Sequence, residues 1–299
     1  MGKLKAHVRL TRPANIVTAI ADILAGFSVS GAVWLLYPME DTYWFFSLLW
    51  LMLSTIGLYG GGVAFNDVFD AELDAKERPE RPIPSGQATV TSAGWMAFGL
   101  MLMGVLAAWM VNAFSGWIAI SIALLAVLYD AWGKHQLIFG PINMGLCRAG
   151  NLLLGVSVIP EMIGKYWYLG LIPLFYVAAI TMVSRGEVHG KNKSALQGGM
   201  FIYLLIVTAI FILSFIHYEN WWESLPFLIL LVYFIFPPLW RALKFQEPSL
   251  IGKAVKAAVL ALIILNATLA SAFSGWVVGL CILLLLPLSL KLAKVFAVT

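Results

Sequence analysis

Ten long apolar segments constrain the fold of this chain more than any other feature of its sequence. They cover roughly residues 13–36, 43–66, 91–113, 115–133, 137–160, 166–183, 197–217, 222–243, 254–272 and 274–293. A helix needs about 20 apolar residues to cross the hydrocarbon core of a bilayer, and most of these segments reach that length. The runs are continuous rather than alternating, which favours membrane helices over a transmembrane barrel. The sequence therefore predicts an all-α polytopic membrane protein.

Composition agrees with this class, because 61% of the 299 residues are hydrophobic and only 11% are charged. A soluble chain would carry about 25% charged residues. Cys147 and Cys281 both lie in apolar runs, so we expect small buried residues rather than a disulfide or a metal site. The first dozen residues are basic but lead to no cleavage site, which predicts a retained first span. With no linker or low-complexity segment, one domain is predicted over residues 1–299.

The positions of lysine and arginine predict how the helices are oriented. When the N-terminus is placed in the cytoplasm, 17 of the 19 lysines and arginines fall at cytoplasmic ends. Lys165 alone lies in an opposite loop, and Arg148 lies inside a span. By the positive-inside rule, both termini and the polar loops are cytoplasmic. We expect an integral protein of a bacterial inner membrane.

An acidic stripe follows the second apolar run. Asp67, Asp70 and Asp74 have the spacing i, i+3 and i+7, so one helix would carry all three carboxylates on one face. Like charges at this spacing repel, which predicts a positive partner among them. Mg²⁺ binds carboxylate and amide oxygens and favours sites completed by substrate phosphates, so Asn66 completes a candidate ligand set. The alternative is a solvated acidic helix end before a basic loop.

Four polar residues lie inside predicted spans. Asn15 and Asp22 share a face of the first, and Arg148 and Asn151 share a face of the fifth. Arg148 is roughly 16 Å deep, where a charge requires a partner or a polar cavity. It either pairs with Asp22 or binds an anion at the floor of a cytoplasm-facing cavity, and both can hold. Asn15 and Asn151 also suit hydrogen bonds between helices.

Taken together, these motifs resemble the UbiA superfamily of intramembrane prenyltransferases over about the first 200 residues. The resemblance rests on Arg12-Pro13-Ala14-Asn15, on Asn66 to Asp74, on Arg81-Pro82-Ile83-Pro84-Ser85-Gly86, on Tyr129 to Lys134, and on Arg148 and Asn151. It implies a bundle of nine core transmembrane helices, to which the tenth apolar run adds one at the C-terminal end.

The resemblance also implies an activity, namely Mg²⁺-dependent transfer of a prenyl group from an allylic prenyl diphosphate to an unidentified aromatic or lipophilic acceptor in the membrane. It implies Asn66, Asp67, Asp70, Asp74 and Glu187 as metal ligands, and Asn15, Arg81, Lys134, Arg148, Asn151 and Lys191 as diphosphate-binding residues. Asp67, Asp70, Lys134 and Glu187 are the implied catalytic residues. Metal ions and cations would neutralise the leaving diphosphate, and an apolar tunnel would keep water from the carbocation.

The second aspartate motif of the family is altered here. Ser184, Glu187 and Lys191 stand where the family has Asp-x-x-Asp-x-x-x-Asp, which weakens a second metal site and suggests that Lys191 contacts the diphosphate. This alteration resembles the EboC-like branch of the superfamily. His189 and Asp130 are candidate bases, and each is equally an ordinary polar loop residue.

Two other functions fit the sequence. The altered motif is compatible with a non-catalytic isoprenoid-binding or lipid-carrier protein derived from the prenyltransferase fold. It is also compatible with an accessory subunit of a secondary-metabolite pathway. The expected partners are a prenyl diphosphate, a lipophilic acceptor and membrane lipid, with no nucleic acid; the acceptor, any protein partner and the oligomeric state are left open.

Overall fold

The computed structural model describes residues 3–36, 41–186, 190, 193–217 and 221–296, and within these ranges the chain is helical without a β-strand. The α-helices are α1 (Lys3–Leu10), α2 (Pro13–Val29), α3 (Thr42–Phe69), α4 (Ala71–Glu77), α5 (Val90–Trp109), α6 (Ala113–Ala131), α7 (Phe139–Val156), α8 (Glu161–Tyr166), α9 (Leu171–Ser184), α10 (Lys193–His217), α11 (Leu225–Phe245), α12 (Pro248–Ser274), α13 (Trp276–Leu283) and α14 (Leu285–Val295). Short 3₁₀ helices cover Ala32–Leu36, Gly133–His135, Trp167–Gly170 and Trp221–Ser224.

By length and composition, eight segments of the described chain could cross a membrane. They are Thr42–Phe69, Val90–Trp109, Ala113–Ala131, Glu161–Ser184, Lys193–His217, Trp221–Phe245, Pro248–Ser274 and Trp276–Val295. With the shorter α2 and the more polar α7, they occupy the ten apolar runs of the sequence. The predicted all-α polytopic class is confirmed, and the division into nine core helices and a tenth stays a prediction.

Two details of the sequence prediction are wrong. The first apolar run was expected to be helical over residues 13–36, but α2 ends at Val29 and the chain turns at Gly31, whose φ is +84°. Only glycine adopts that backbone conformation readily. Cys281 is exposed rather than buried, and Cys147 is partly buried. A lipid-facing surface accepts a thiol, because it is as apolar as the interior of the bundle.

Side-chain caps fix where the membrane helices begin. The Asp41 carboxylate accepts a hydrogen bond from the Tyr43 backbone N–H at 2.8 Å at the start of α3. Asn112 accepts one from the Ser115 N–H at 2.8 Å at the start of α6. Such caps satisfy backbone donors that the first helical turn leaves without partners. The apolar runs become separate helices because short polar residues interrupt them.

Glycines allow close approach between the helices that surround the functional site. A side-chain Cβ placed on Gly155 of α7 would lie 2.5 Å from the Ile23 carbonyl oxygen of α2. One placed on Gly104 of α5 would lie 2.7 Å from the Ser54 carbonyl oxygen of α3. Small residues at such contacts are typical of membrane bundles, where dispersion contacts and hydrogen bonds replace the hydrophobic effect between helices. The backbones of α2 and α7 are thereby held side by side.

Helix α12 is the most buried span and forms the centre of the largest apolar cluster. It packs against α2, α9, α10, α11 and α13. Tyr176 of α9 is fully buried, and its hydroxyl donates a hydrogen bond to the Ala258 carbonyl of α12 at 2.9 Å. Helix α2 lies between α12 and α7, so its polar residues face the interior of the bundle.

The loops that follow α6, α9 and α11 meet at one end of the bundle. Arg185, directly after α9, donates hydrogen bonds to the carbonyl oxygens of Gln136 and Leu137 at 2.6 and 2.7 Å. Gly190 has φ +64°, and a Cβ there would lie 2.7 Å from the Gln246 carbonyl oxygen at the α11–α12 turn. The sequence assigns this end to the cytoplasm, and that orientation stays a prediction.

Candidate active site

Six helices surround an internal cavity of about 290 Å³. α3, α6, α7, α9 and α12 form its wall, and the start of α2 closes one side. Most of the lining is apolar, and the polar lining residues are Arg12, Asn15, Tyr59, Asn66, Tyr129, Asp130, Cys147, Arg148, Asn151 and Thr181. Asn15, Asn66, Arg148 and Asn151 are predicted site residues, so the fold brings these four to one chamber.

The acidic stripe is divided between two helices. α3 ends at Phe69, Asp70 leaves the helical conformation with φ −92° and ψ 5°, and α4 begins at Ala71. The prediction that one continuous helix carries the stripe is therefore wrong. The Asp70 side chain makes no capping hydrogen bond to α4, and its carboxylate pairs with Lys134 instead.

Asp67 and Asp74 converge on one cation despite the break. The Arg81 Nη1 atom lies 2.6 Å from an oxygen of Asp74 and 3.3 Å from an oxygen of Asp67. Arg12 Nη2 approaches Asp67 at 2.9 Å. Arg12 is the residue before α2 and has a left-handed backbone with φ 47°, ahead of Pro13 in the first turn. These contacts connect the start of α2 to the end of α3.

Asp70 belongs to a separate ion pair. Its carboxylate lies 2.6 Å from the Lys134 Nζ atom, which also lies 5.9 Å from the centre of the Phe69 ring. Lys134 is placed by the 3₁₀ helix Gly133–His135 that follows α6. Asn66 Nδ2 donates a hydrogen bond to Asp130 Oδ1 at 2.9 Å. The positive partners that the sequence predicted among the carboxylates are thus arginine and lysine side chains of the same chain.

A second polar cluster lies deeper, between α2, α7 and α12. Arg148 Nε lies 2.6 Å from Asp22 Oδ2, and Arg148 Nη2 donates to the Thr18 hydroxyl at 2.8 Å. Asn151 and Asn266 donate to the two oxygens of Asp22 at 2.9 and 2.6 Å. The Asp22 side chain is fully buried and that of Arg148 is 6% exposed. The predicted Arg148–Asp22 ion pair is present, and a buried pair of this kind needs such additional hydrogen bonds.

Arg148 also faces the cavity. Its guanidinium carbon lies 5.5 Å from the centre of the Tyr59 ring, and both residues line the chamber. Nη2 donates to Thr18 and Nε lies at ion-pair distance from Asp22 without hydrogen-bond geometry, whereas Nη1 has no hydrogen-bond partner among the described residues. The two alternatives from the sequence are therefore compatible, because one arginine can pair with Asp22 and still present a donor to a ligand.

The donor atoms of the stripe suit a hard cation. Asn66, Asp67, Asp70 and Asp74 offer carboxylate and amide oxygens, the ligands that Mg²⁺ takes in proteins. In the part of the chain that the structure describes, no three His, Cys, Asp or Glu side chains are grouped as a metal site. Asp67 and Asp74 nevertheless lie on either side of a single cationic nitrogen. The residues fit Mg²⁺ in chemistry, provided that Arg81 gives up its position.

Two residues of the altered second motif, Glu187 and Lys191, and the candidate base His189 lie outside the described residues. Ser184 ends α9, where its hydroxyl donates to the Thr181 carbonyl at 2.9 Å. Beside it, Arg185 binds the loop that carries Lys134, a role that sequence reasoning missed. An arginine at this place connects two loops through hydrogen bonds to backbone carbonyls.

Sequence reasoning also missed four residues around the deep cluster. They are Thr18, Thr55, Tyr59 and Asn266. Tyr59 and Thr55 lie about one and two turns before Gly62 on the face of α3 that leads to Asn66, and the Thr55 hydroxyl donates to Asn151 Oδ1 at 2.7 Å. Two signals for these residues were present in the sequence. Thr55 and Tyr59 share a helical face with Asn66, and Asn266 is an amide within the apolar run 254–272.

The family comparison agrees with this architecture. The model of the UbiA prenyltransferase family matches residues 24–253. The chain belongs to this family. The UbiA-family chain is 28% identical over 190 residues to the digeranylgeranylglyceryl phosphate synthase of Ignicoccus hospitalis, a match that covers 63% of this chain and 59% of the synthase. The aligned part thus spans less than two thirds of that relative's length.

Solved UbiA structures have the same fold. A UbiA homologue from Aeropyrum pernix K1, in its apo form, superimposes with a TM-score of 0.67 at 13% identity and covers 85% of this chain and 96% of that one. One from Archaeoglobus fulgidus, bound to GPP and Mg²⁺, gives 0.63 at 12% identity, with 88% and 99% covered. The resemblance to the UbiA superfamily and the multi-pass membrane class are confirmed, and the EboC-like branch stays a prediction.

Proposed function

We propose that this UbiA-family prenyltransferase uses Mg²⁺ to transfer a prenyl group from an allylic prenyl diphosphate to a lipophilic acceptor. The observation that carries the proposal is the cavity, which joins an apolar wall to Arg12, Asn15 and Asn66 beside the acidic stripe. A molecule with a phosphate at one end and a hydrocarbon chain at the other matches that distribution of polar and apolar groups. The A. fulgidus homologue bound to GPP and Mg²⁺ supports this class of donor.

The apolar wall accounts for the hydrocarbon part of the donor. Leu58, Val63, Ile122, Val177 and Ile180 line the chamber. Breaking the allylic carbon–oxygen bond produces a carbocation that water would capture, so a water-poor chamber favours transfer over hydrolysis. Tyr59 and Tyr129 also line the chamber, and their ring faces suit stabilisation of a cation.

The charged end accounts for the diphosphate. When bound, Mg²⁺ would neutralise the leaving diphosphate, with Asn66, Asp67, Asp70 and Asp74 as its ligands. In this structure Arg81 lies 2.6 Å from the Asp74 carboxylate, and Lys134 lies 2.6 Å from the Asp70 carboxylate. We infer that these cations transfer to phosphate oxygens as the donor binds, so positive charge stays at the site in both states. Glu187 and Lys191 are proposed to complete it.

Arg148 is proposed to bind the donor from the opposite side of the chamber. Its Nη1 atom is available to a phosphate oxygen, while Asp22 and Thr18 fix the plane of the guanidinium group. Asn15 and Asn151 line the same surface. Donors that are held in place before the reaction stabilise developing negative charge without a cost of reorganisation. We further propose that residues 1–299 act as one domain in a bacterial inner membrane, with this end cytoplasmic.

The test uses purified protein with allylic prenyl diphosphates and Mg²⁺, and measures release of pyrophosphate. Asp67→Asn and Asp70→Asn should each lower the rate on the order of 10²-fold or more, because each removes a ligand and leaves a cation without its partner. Glu72→Gln is the matched control, since Glu72 is an exposed carboxylate on α4. Unchanged turnover in both aspartate variants would remove the mechanism.

A specific observation supports the carrier function as a second candidate. Asp67, Asp70 and Asp74 are each already neutralised by a cation of the chain. A protein that binds prenyl diphosphates without chemistry needs no metal at these positions. Thermal stabilisation by a prenyl diphosphate in the absence of any product, with every tested acceptor, would favour the carrier over the transferase.

A further inference from the structure

A second cavity of about 420 Å³ lies between α11 and α12, and none of its lining residues belongs to the active-site cavity. We call it the α11–α12 groove and define it by Tyr233, Phe234, Pro237, Pro238, Arg241 and Lys253. The assigned family and the proposed reaction give it no role.

Two successive prolines give a physical reason for the groove. Pro237 and Pro238 lie inside α11. Each lacks the N–H that would bond the carbonyl four residues earlier, and each ring crowds that carbonyl. The carbonyls concerned belong to Tyr233 and Phe234, which line the groove. α11 stays a continuous helix through both prolines, so the groove lies beside carbonyls that lack their usual helical donors.

The groove carries positive charge that no described residue of the chain pairs with. Arg241 of α11 and Lys253 of α12 are both exposed and both line it. Neither forms an ion pair with any residue that the structure describes. Two further lysines on the same helices, Lys244 and Lys256, are exposed but are not among the lining residues.

The charges lie near the helix ends, where a membrane span meets the head-group region. Arg241 is four residues before the end of α11 and Lys253 five after the start of α12, so both are roughly 6 to 8 Å from the helix ends. From Arg241 the groove continues about 12 Å along α11 to Tyr233. Trp240, next to Arg241, is 60% exposed, as aromatic residues at a membrane interface often are.

We propose that the α11–α12 groove binds the head group of an anionic phospholipid, whose phosphate contacts Arg241 and Lys253. The apolar part of the groove beyond Arg241 takes the start of an acyl chain, which continues over the exposed α11 surface at Val232 and Ile229. Basic pockets between membrane helices recognise anionic head groups in this way. The site is independent of prenyl transfer, because it shares no lining residue with the active-site cavity.

The test compares two double variants that change the same charge on the same helices. Arg241→Gln with Lys253→Gln removes the groove charges, and Lys244→Gln with Lys256→Gln is the matched control. Native mass spectrometry of the detergent-purified protein measures retention of added phosphatidylglycerol against phosphatidylcholine. The groove variant should retain phosphatidylglycerol about tenfold less than the control variant, with phosphatidylcholine unchanged in both.

Each other outcome overturns the proposal. An equal loss in the two double variants means that general surface charge attracts the lipid. No loss in the groove variant means that lipid binds elsewhere. The melting temperature is measured in parallel with phosphatidylglycerol and with inorganic phosphate. An equal shift with both means that the site takes a free anion rather than a lipid. All four substituted residues are exposed, so both variants should fold.

Discussion

Asp22 is the residue on which the deep part of the site depends most. It is fully buried and has three polar partners on two other helices, namely Arg148, Asn151 and Asn266. A buried carboxylate and guanidinium each cost free energy when they leave water, and their attraction offsets that cost only while both are present. The pair therefore fixes the position of Arg148 more than it adds stability.

Removing Asp22 alone should be strongly destabilising. We expect Asp22→Leu to lower the free energy of unfolding by about 3–5 kcal/mol, because Arg148 is left as an uncompensated buried charge. Asp22→Leu with Arg148→Met should recover most of this loss, since the double variant contains no buried charge at the cluster. Denaturant unfolding of the detergent-solubilised protein gives both values, and a double variant less stable than the single one would contradict the explanation.

The sequence predicted part of this cluster. Spacing within one helix places Arg148 and Asn151 on one face, and intramembrane charge predicts a partner, which Asp22 provides. Asn266 was not predicted, because it lies 244 residues from Asp22 in the chain. Periodicity describes the faces of single helices and does not tell which faces meet.

The acidic stripe shows the same limit for an element. The spacing of Asp67, Asp70 and Asp74 predicts one face of one helix, but the break at Asp70 sends its carboxylate to Lys134. Arg81 then joins the other two. The break depends on where the loops carrying these cations lie, which local propensity does not contain. Predicting the residue types of the site was possible, and predicting their pairing was not.

Arg185 should act as a positioning residue for the proposed prenyl transfer. It holds the carbonyls of Gln136 and Leu137, two and three residues after Lys134. Arg185→Gln should raise KM for the prenyl diphosphate roughly tenfold with a smaller change in kcat, because Lys134 is less precisely placed. Arg185→Lys keeps the charge but cannot donate in the same forked geometry, so it should recover little.

Steady-state pyrophosphate release at varied donor concentration separates kcat from KM for these variants. Ser184→Ala is the neighbouring control, since among the described residues the Ser184 hydroxyl donates to the Thr181 carbonyl of its own helix turn. An unchanged KM in the Arg185→Gln protein would argue against a positioning role. A Ser184→Ala protein whose kcat and KM change as much as those of the Arg185→Gln protein would argue against it too.

The whole molecule was predictable in class but not in arrangement. The apolar runs predicted the helical segments, because span length is set by bilayer thickness. The central place of α12 was not predicted. α10 is more apolar than α12. In the most apolar 18-residue stretch of each helix, however, 28% of the residues are buried in α10 and 83% in α12. Lipid-facing and buried positions are equally apolar in a membrane, so hydropathy does not separate the centre of the bundle from its surface.

This difference predicts how truncation affects the bundle. A chain ending at Gly275 lacks the last span, Trp276–Val295. Only 17% of the residues in the most apolar stretch of that span are buried. It should stay folded with a lower melting temperature, since it loses contacts such as the Ser289 hydroxyl to the Ala14 carbonyl at 2.9 Å. A chain ending at Phe245 also lacks α12, which removes Asn266 from Asp22 and exposes the largest apolar cluster.

We expect the shorter chain to aggregate. Size-exclusion chromatography and thermal melting in one detergent distinguish the two truncated chains, with the full-length protein as reference. If the bundle behaves as expected, the Gly275 chain elutes as a single species with a cooperative transition. A surface helix buries too little to hold the other helices together. Aggregation of both chains to the same extent would therefore show that the last span is as necessary as α12, and would contradict a bundle centred on α12.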